Sequence, residues 1–485
     1  MTIQLADDPS KPAYMRLADA VREGILDGRF RPGEKMPPTR PLASALGMAR
    51  NTALEAYEQL LAEGYLASRH GSGTYVAERL PDEAFRAPEE VAVPRATRMG
   101  EARVSAFARR VLTSGAVEQA AGERTAARYE FRYGTPSLDE FPMEAWRTLT
   151  KRVLDYPPAE LLGYGPTQGL PRLREALARY LQRSRGVRCS AEDVLVVNGS
   201  QQALDLAARV LIDVGDRVVI EEPCYQGARI VFEANGAKLV PVPCDQEGLQ
   251  CDALPEEAVA AYVTPSHQFP TGAVMSAPRR LELLQWAERT GATIIEDDYD
   301  SEFRYEGRPL AALQGLDRSG RVIYTRTFSK VLLPALRMGY VVAPPHLRDA
   351  MVGSKWLADR HVAMLYQAVL ALFIEEGHFE RHLRRMRKVY ERRRATLLAA
   401  FAEEFGDEAV VTGTQGGMHV LVQLRGVEND GELIAQAREV GVGIYSADQY
   451  YMVEKPALAT FMMGYSSVDE DGIREGVRRL RRLVG

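Results

Sequence analysis

The amino-acid sequence predicts an α/β protein that joins a small N-terminal domain, residues 1–77, to a large domain with a mostly parallel sheet, residues 128–485. Three observations support this prediction. The chain has 485 residues, 46% of them hydrophobic, so it is too long for one ordinary domain. Three short helical patterns and a hairpin pattern occupy the first domain. In the large domain, apolar strand-like runs alternate with longer helical stretches.

The first domain shows a helix-turn-helix pattern followed by a wing. Apolar residues spaced three or four positions apart between residues 14 and 27 predict a first helix. Gly47 marks a turn between two further short helices, the second of which begins at Arg50. Residues 65–76 then give two short strands around a glycine-rich tip, which is typical of a wing.

The placement of charge in this domain favours binding to double-stranded DNA. The whole chain has a net charge of −5, which excludes a uniformly basic coat. However, no Asp or Glu occurs from Lys35 to Leu54 or from Gly64 to Ala77, so the basic groups there are available to phosphates and bases. The candidate DNA contacts lie at the start of the second and third helices and in the wing: Arg40, Arg50, Asn51, Thr52, Arg69, His70 and Gly71.

Residues 78–127 are predicted to be a linker, because prolines, small residues and scattered charges replace the apolar periods; a helical pattern returns near residues 104–112. No apolar run approaches the roughly 18 residues that span a membrane, and the N-terminal residues do not resemble a signal peptide, so we expect a cytoplasmic protein without a membrane partner. The four cysteines show neither metal-ligand spacing nor disulfide density. We expect reduced thiols and no metal.

Two predicted strands of the large domain end in groups that could bind an anion or a cation. Ser200 and Gln201 follow a strand and open a helix, where free amides and a hydroxyl favour a phosphate, although such turns are common. Asp297 belongs to the acidic run 296–300, at the carboxyl end of a strand, where open α/β sheets bind ligands. An acid there could hold a cationic ring nitrogen. An acidic surface loop explains the run equally well.

A third predicted strand ends in Thr327-Phe328-Ser329-Lys330, with Arg337 shortly after it. A lysine amine can form an imine with an aldehyde once desolvation lowers its pKa. Arg337 and Thr327 could hold a phosphate beside it. Taken alone, Lys330 would be interpreted as a solvated surface residue.

The order and spacing of these motifs resemble those of fold-type I aminotransferases, over residues from about 128 to 485. The run from Met36 to Val76 is similar to the GntR-type winged helix, although Ala49 replaces its usual Ser. Together they resemble the MocR subfamily of transcription regulators, which includes GabR-like and PdxR-like members. The resemblance implies a regulator that binds pyridoxal 5′-phosphate (PLP), with a mostly parallel sheet and a smaller C-terminal α+β part.

The resemblance also implies roles for individual residues. Lys330 would form the Schiff base, Asp297 would pair with the pyridine nitrogen, and Tyr299 would hydrogen-bond the phenolic oxygen. Tyr225 would stack on the ring, and Tyr164 would reach the phosphate from the other subunit. The phosphate would otherwise be held by residues at the strand ends: Ser200, Gln201, Thr327 and Arg337.

Phe269 lies where aminotransferases commonly have an Asn that contacts the phenolic oxygen of PLP, so we expect different cofactor electronics. Two further departures bear on the effector. GabR-like members resemble Tyr-x-Arg after the stacking tyrosine, whereas this chain has Tyr225-Gln226-Gly227. Met462 lies where aminotransferases have an Arg that binds the substrate carboxylate, and Met cannot do so. These losses favour a PdxR-like regulator of vitamin B6 metabolism that senses PLP itself, with a small amine or amino acid as the other candidate effector.

Two other functions remain open from the sequence: an active aminotransferase with an appended DNA-binding module, and a repressor whose large domain serves only dimerisation. Fold-type I sites lie at a subunit interface, and winged helices of this kind bind paired half-sites, so we expect a homodimer. A linker of roughly 50 residues is long enough for a domain-swapped arrangement.

Overall fold

The computed structural model describes residues 3, 5, 11–69, 72–80, 103–121, 127–305, 311–427 and 429–484. The chain divides into two compact units, Met1–Arg103 and Val104–Gly485. Within the described ranges, no helix combines the length and the apolar character needed to cross a membrane.

The small unit contains three helices and a two-stranded antiparallel sheet: α1 (Ala13–Leu26), α2 (Thr39–Ala45), α3 (Arg50–Ala62), β1 (Leu66–Arg69) and β2 (Gly73–Val76). Its core is formed by apolar residues that α1 and α3 bury at helical spacing, such as Leu17, Val21 and Leu60. The hydroxyl of Tyr57 donates to Pro37 O (2.9 Å), which ties α3 to the segment before α2. The predicted helix-turn-helix with a wing is confirmed.

Two short helices lie inside the predicted linker: α4 (Ala106–Thr113) and α5 (Ala116–Ala121). Helix α4 has no buried residue, and the Arg110 guanidinium donates from Nε to Ala234 O (2.8 Å) of the large unit. The linker boundaries at residues 77 and 127 remain a prediction.

The strands described in the large unit are β3 (Tyr129–Glu130), β4 (Val194–Val197), β5 (Arg217–Glu222), β6 (Lys238–Asp245), β7 (Gly248–Leu249), β8 (Ala260–Val263), β9 (Thr293–Asp297), β10 (Val322–Thr327), β11 (Gly339–Val342), β12 (Ala409–Thr412), β13 (His419–Leu424), β14 (Val442–Gly443), β15 (Tyr445–Ser446) and β16 (Ala459–Gly464). Strands β3 and β14 pair with each other in parallel, and the other strands form two main sheets.

The main sheet has eight strands in the order β4-β11-β10-β9-β8-β5-β6-β7, and its central pairs, from β10 to β6, are parallel. Strand β11 runs antiparallel to both of its neighbours. Strands β8, β9 and β10 are buried along their whole length, as expected for a parallel sheet covered on both faces. The parallel direction places the carboxyl ends of β9 and β10 side by side.

The second sheet is antiparallel, in the order β12-β13-β16-β15, and belongs to the C-terminal part of the chain. The helices of the large unit are α6 (Met143–Asp155), α7 (Ala159–Leu162), α8 (Pro171–Arg185), α9 (Ser200–Leu211), α10 (Gln226–Asn235), α11 (Ala277–Thr290), α12 (Leu313–Leu316), α13 (Pro345–Asp359), α14 (Met364–Glu375), α15 (His378–Phe405), α16 (Asp430–Glu439) and α17 (Glu470–Val484). The predicted fold class, including the smaller α+β part, is confirmed.

Candidate functional site

A cavity of about 150 Å³ lies at the carboxyl ends of the central strands. Eight of the nine residues predicted to bind the cofactor line it: Ser200, Gln201, Tyr225, Asp297, Tyr299, Thr327, Lys330 and Arg337. Four further residues complete the lining: Tyr133, Tyr262, Phe269 and Ser329. The strand ends that the sequence singled out are therefore brought to one place.

The start of α9 forms one wall of the cavity. Gly199 precedes this helix with a φ of 93°, a conformation that favours glycine and turns the chain from β4 into the helix. Arg337 donates from Nη2 to Asn198 O (3.0 Å), which holds its guanidinium beside the helix start. A helix N-terminus and an exposed guanidinium both favour a phosphate here.

Asp297 is 4% exposed at the end of β9, and its Oδ2 accepts a hydrogen bond from the hydroxyl of Tyr262 (3.0 Å). Burial raises the pKa of Asp297 to about 7, against the effect of that hydrogen bond. Its Oδ1 is buried and has no hydrogen-bond partner among the residues that the structure describes. A buried acceptor without a partner at a cavity wall is suited to an N–H group of a bound ring.

Lys330 is half-buried just beyond β10. Its Nζ donates to Gly134 O (3.2 Å) and lies 4.7 Å from the centre of the Tyr133 ring. Burial lowers the pKa of Lys330 to about 8, although Asp300 and Asp297 oppose this shift. A lowered pKa increases the fraction of neutral amine, which is the nucleophilic form.

Aromatic rings surround the position between Lys330 and Asp297. Phe269 is central to this group, with its ring 4.9 Å from Tyr133, 5.6 Å from Tyr225 and 6.0 Å from Tyr299. Tyr133 and Tyr262 were not predicted from the sequence. Tyr133 lies in a short segment without strand periodicity. Tyr262 lies inside a uniformly apolar strand, where its hydroxyl was the one feature that could have indicated a role at the site.

Tyr299 belongs to a buried polar chain beneath the cavity. His267 Nδ1 lies 3.0 Å from the Tyr299 hydroxyl and 3.1 Å from Asp300 Oδ2, and the Tyr299 hydroxyl donates to His267 O (2.9 Å). His267, Asp300 and His419 together form a buried group of the kind that could hold a metal ion. The sequence predicted no metal, and that expectation stays a prediction.

The other acids of the run 296–300 have partners of their own. Glu296 accepts hydrogen bonds from the backbone of Leu313 and Gln314 (both 2.8 Å). Asp298 is ion-paired with Arg185 (3.0 Å) and Arg326 (3.6 Å). Although burial opposes ionisation, these guanidinium groups hold the pKa of Asp298 well below its usual range. The alternative of an acidic surface loop is wrong, because Asp297, Asp298 and Asp300 are all buried.

Tyr164 does not line the cavity of its own chain. Its side chain is 85% exposed and lies against His361, with the Arg360 guanidinium 5.3 Å from the centre of its ring. An exposed tyrosine of this kind is compatible with a contact to another subunit, which remains a prediction.

The predicted DNA contacts lie on the small unit. Arg40, Arg50 and Asn51 are exposed and Thr52 is half-buried, with Arg50 as the first residue of α3. Arg69 is exposed in β1, where the sequence suggested an unopposed cation, but it forms an ion pair with Glu78 (2.7 Å). The remaining two predicted contacts, His70 and Gly71, lie outside the described residues.

Comparison with known families matches both parts of the chain. Residues 131–479 match the family described as aminotransferase class I and II, and residues 13–76 match the bacterial regulatory proteins of the gntR family. Among solved structures, LysN, an α-aminoadipate aminotransferase from Thermus thermophilus in complex with N-(5′-phosphopyridoxyl)-L-leucine, is 33% identical with a TM-score of 0.70. The match covers 79% of this chain and 97% of that one.

Two curated relatives match this chain over nearly its whole length. The probable rhizopine catabolism regulatory protein MocR of Rhizobium meliloti is 40% identical over 98% of this chain and 94% of its own length. The pyridoxine biosynthesis transcriptional regulator PdxR of Corynebacterium glutamicum is 30% identical, over 97% and 96% respectively. These matches confirm the prediction of a PLP-type domain and favour a regulator over an enzyme with an appended module. The chain belongs to the MocR-type GntR family of transcription regulators, in which a GntR helix-turn-helix domain is joined to an aminotransferase class I/II domain.

Proposed function

We propose that this regulator holds PLP in the cavity around Lys330 and that occupancy of this cavity changes its affinity for DNA. The observation that carries the proposal is the placement of three complementary groups in one cavity. These are the Lys330 amine, the buried Asp297 Oδ1, which no described residue pairs with, and the cationic wall formed by Arg337 and the start of α9.

The residues fit the cofactor group by group. When bound, PLP supplies an aldehyde carbon that a primary amine can attack. Asp297 would accept a hydrogen bond from the ring nitrogen, and its negative charge would keep that nitrogen protonated. Ser200, Gln201, Thr327 and Arg337 would hold the phosphate, since all four line the cavity, Ser200 and Gln201 open α9, and Arg337 donates to Asn198 O just before it.

Tyr225 and Phe269 would enclose the ring and keep water away from it. The Tyr299 hydroxyl, which donates to His267 O in the structure, would turn its proton to the phenolic oxygen, and His267 Nδ1, 3.0 Å away, would then donate to the Tyr299 oxygen. Because Phe269 replaces an amide donor, Tyr299 carries that hydrogen bond without help from position 269.

On the small unit, Arg50, Asn51 and Thr52 would enter the major groove from the start of α3, while Arg40 and the wing contact phosphates. Release of Arg69 from Glu78 would free the Arg69 guanidinium for DNA. Two copies of the chain would be needed to bind paired half-sites, so the protein would act as a homodimer. The length of the linker would allow this homodimer to be domain-swapped. Tyr164 of one copy would then reach the phosphate of the other.

The effector is proposed to be PLP itself, as the sequence favoured, because the usual carboxylate-binding arginine is absent. Met462, 3% exposed in β16, lies at the position where that arginine would be expected. The test uses a DNA duplex that the protein selects from a random-sequence pool. Fluorescence anisotropy would then measure its affinity with and without PLP, and equal affinity at saturation contradicts PLP as the effector.

The cofactor assignment is tested by absorbance and chemical trapping. Addition of PLP to the purified chain should give a visible band, and borohydride reduction followed by peptide mapping should place the adduct on Lys330. An adduct on another lysine refutes the assignment. Absence of any band would favour the alternative in which the large domain serves only dimerisation.

A further inference from the structure

A buried ion pair joins the end of α13 to the start of α9. Lys355, near the end of α13, is 0% exposed. Its Nζ donates to Asp359 Oδ1 (2.7 Å), one turn further along the same helix, and to Gln202 Oε1 (3.2 Å) of α9. A charged amine is costly to bury unless it is paired and hydrogen-bonded. The amine of Lys355 has both kinds of partner.

The carboxylate of this pair holds the turn that leads from β4 into α9. Asp359 Oδ2 accepts hydrogen bonds from Asn198 Nδ2 (2.5 Å) and from Gln202 Nε2 (2.8 Å). Gln202 Oε1 in turn accepts a hydrogen bond from the backbone N–H of Asn198 (2.8 Å). Hydrogen bonds to an ionised carboxylate are stronger than those between neutral groups. Asn198 is therefore fixed both at its side chain and at its backbone.

Asn198 connects this network to the proposed phosphate site. Its carbonyl oxygen accepts the hydrogen bond from Arg337 Nη2 (3.0 Å), and α9 begins two residues after it. In the described part of the chain, neither Lys355 nor Asp359 lines the cofactor cavity. The pair would thus act on a bound ligand only through Asn198 and Gln202.

We propose that Lys355 and Asp359 are positioning residues for the phosphate-binding turn, and that through this turn they let the site distinguish PLP from pyridoxal, which lacks the phosphate. The inference rests on the proposed function, because it takes Arg337 and the start of α9 as the phosphate site. Donors that are already fixed in position bind an anion best, since ordering them on binding costs free energy. Loss of the network weakens the contacts to the phosphate and leaves the contacts to the ring unchanged.

The test compares the affinities of the full-length protein for PLP and for pyridoxal, both measured by equilibrium dialysis. Asp359→Asn keeps the size of the side chain, but an amide oxygen can serve only one of the two sides that the carboxylate serves. We expect the affinity for PLP to fall about tenfold and the affinity for pyridoxal to stay within about twofold of the wild-type value.

Asp205→Asn is the matched control. Asp205 pairs with Arg209 of α9 at the same spacing of four residues (2.9 Å), and its side chain is 27% exposed, against 25% for Asp359. This pair lies further along α9 than the turn, so the variant should keep the wild-type ratio of the two affinities.

Gln202→Ala keeps the test decisive if unfolding in urea shows that Asp359→Asn does not fold. It removes the other side chain that is bonded to Asn198, and it should lower the ratio of the affinities in the same direction. An equal loss of affinity for both ligands would assign the network to the stability of the fold alone, and it would overturn the inference. An unchanged ratio in the folded variants, or a change of similar size in Asp205→Asn, overturns it as well.

The wild type is measured first, with the position of its PLP adduct, so that the two proposals can fail separately. A wild type that does not take up PLP at Lys330 contradicts the proposed function. A wild type that takes up PLP at Lys330 but binds pyridoxal equally well contradicts only this inference.

Discussion

The cavity around Lys330 and the face around Arg50 place their charged groups in opposite surroundings. In the cavity, Asp297 is 4% exposed and burial moves the pKa values of both Asp297 and Lys330 toward neutrality. On the small unit, Arg40 and Arg50 are exposed to water. A single buried charge interacts strongly with its neighbours, because the dielectric constant around it is low. Exposed charges each interact weakly with a ligand, contribute together, and are screened by salt.

The largest effect should come from Lys330→Ala. Loss of the amine removes the group that can bond to the cofactor carbon, so no borohydride-stable adduct should form. Folding should be retained, because among the described residues the Lys330 side chain donates a hydrogen bond to Gly134 O alone. Mass spectrometry after reduction and circular dichroism measure the two outcomes. An adduct of undiminished yield would disprove the assignment.

Next in size is Asp298→Asn, which removes the buried carboxylate that pairs with both Arg185 and Arg326, while Arg326 keeps its ion pair with Glu302. We expect a loss of about 3–5 kcal/mol in the free energy of unfolding, measured in urea. As the control, Glu256→Gln breaks the exposed pair with Arg289 and should cost at most about 1 kcal/mol. Similar losses in both variants would contradict the contrast between interior and surface.

The same carboxylate predicts a pH dependence. Because the pKa of Asp298 is depressed in the folded chain, its contribution to stability is complete above the ordinary aspartate pKa of about 3.9 and is lost as the pH falls below that value. Unfolding curves of the wild type and Asp298→Asn should therefore converge as the pH is lowered.

Arg50→Ala tests the exposed side of the comparison. If Arg50 reads a guanine, DNA binding should weaken by about 1–3 kcal/mol, and if it meets a phosphate, the salt slope should fall by about one. Anisotropy titrations at several salt concentrations separate these cases, and PLP binding should be unchanged. Arg31→Ala, an exposed cation outside the predicted contacts, is the matched control.

The rate of PLP capture should follow the lowered pKa of Lys330. Only the neutral amine attacks the aldehyde, so the rate constant should rise about tenfold per pH unit below about pH 8 and level off above it. Stopped-flow absorbance measures this rate. N-acetyl-lysine, whose amine has an ordinary pKa, should continue to gain rate above pH 8. If the rate constant of the protein has the same pH dependence as that of N-acetyl-lysine, burial does not lower the pKa of Lys330.

The smallest effect should come from Ala49→Ser. Ala49 precedes α3 with an extended backbone and no side-chain cap. A serine hydroxyl can accept a hydrogen bond from the free amides of the first turn, which stabilises a helix by about 1 kcal/mol. Native-state hydrogen exchange of the α3 amides should slow accordingly. Ala62→Ser, at the other end of α3, should give no such gain.

Local patterns predicted much of this molecule. The period of apolar residues predicted α1 and α3, and the uniformly apolar runs predicted β8 to β10. Asp297 and Lys330 were each predicted at the end of a strand, and their role at one cofactor came from the resemblance to fold-type I aminotransferases. The parallel pairing of β9 and β10 brings these two strand ends to one edge of the sheet. In each case the signal lay within a few residues.

Contacts between distant segments could not be predicted in this way. Asp298 was indistinguishable from Asp297 in the sequence, but in the structure it pairs with Arg185, 113 positions away, and with Arg326. Tyr133 contacts Lys330 from a distant part of the chain. Arg69 stood in a stretch without acids, yet pairs with Glu78 just beyond it. Such pairings depend on topology, which local periodicity does not encode.

Helix α4 contributes no buried side chain, and this has an evolutionary consequence. Substitutions at exposed positions outside a core are close to neutral for stability. The sequence of α4 can therefore change with little effect on stability, whereas residues at the strand ends around Lys330 make many contacts that constrain them. A lineage can adjust the reach between its two units by altering one short helix, and leave an inherited binding chemistry untouched.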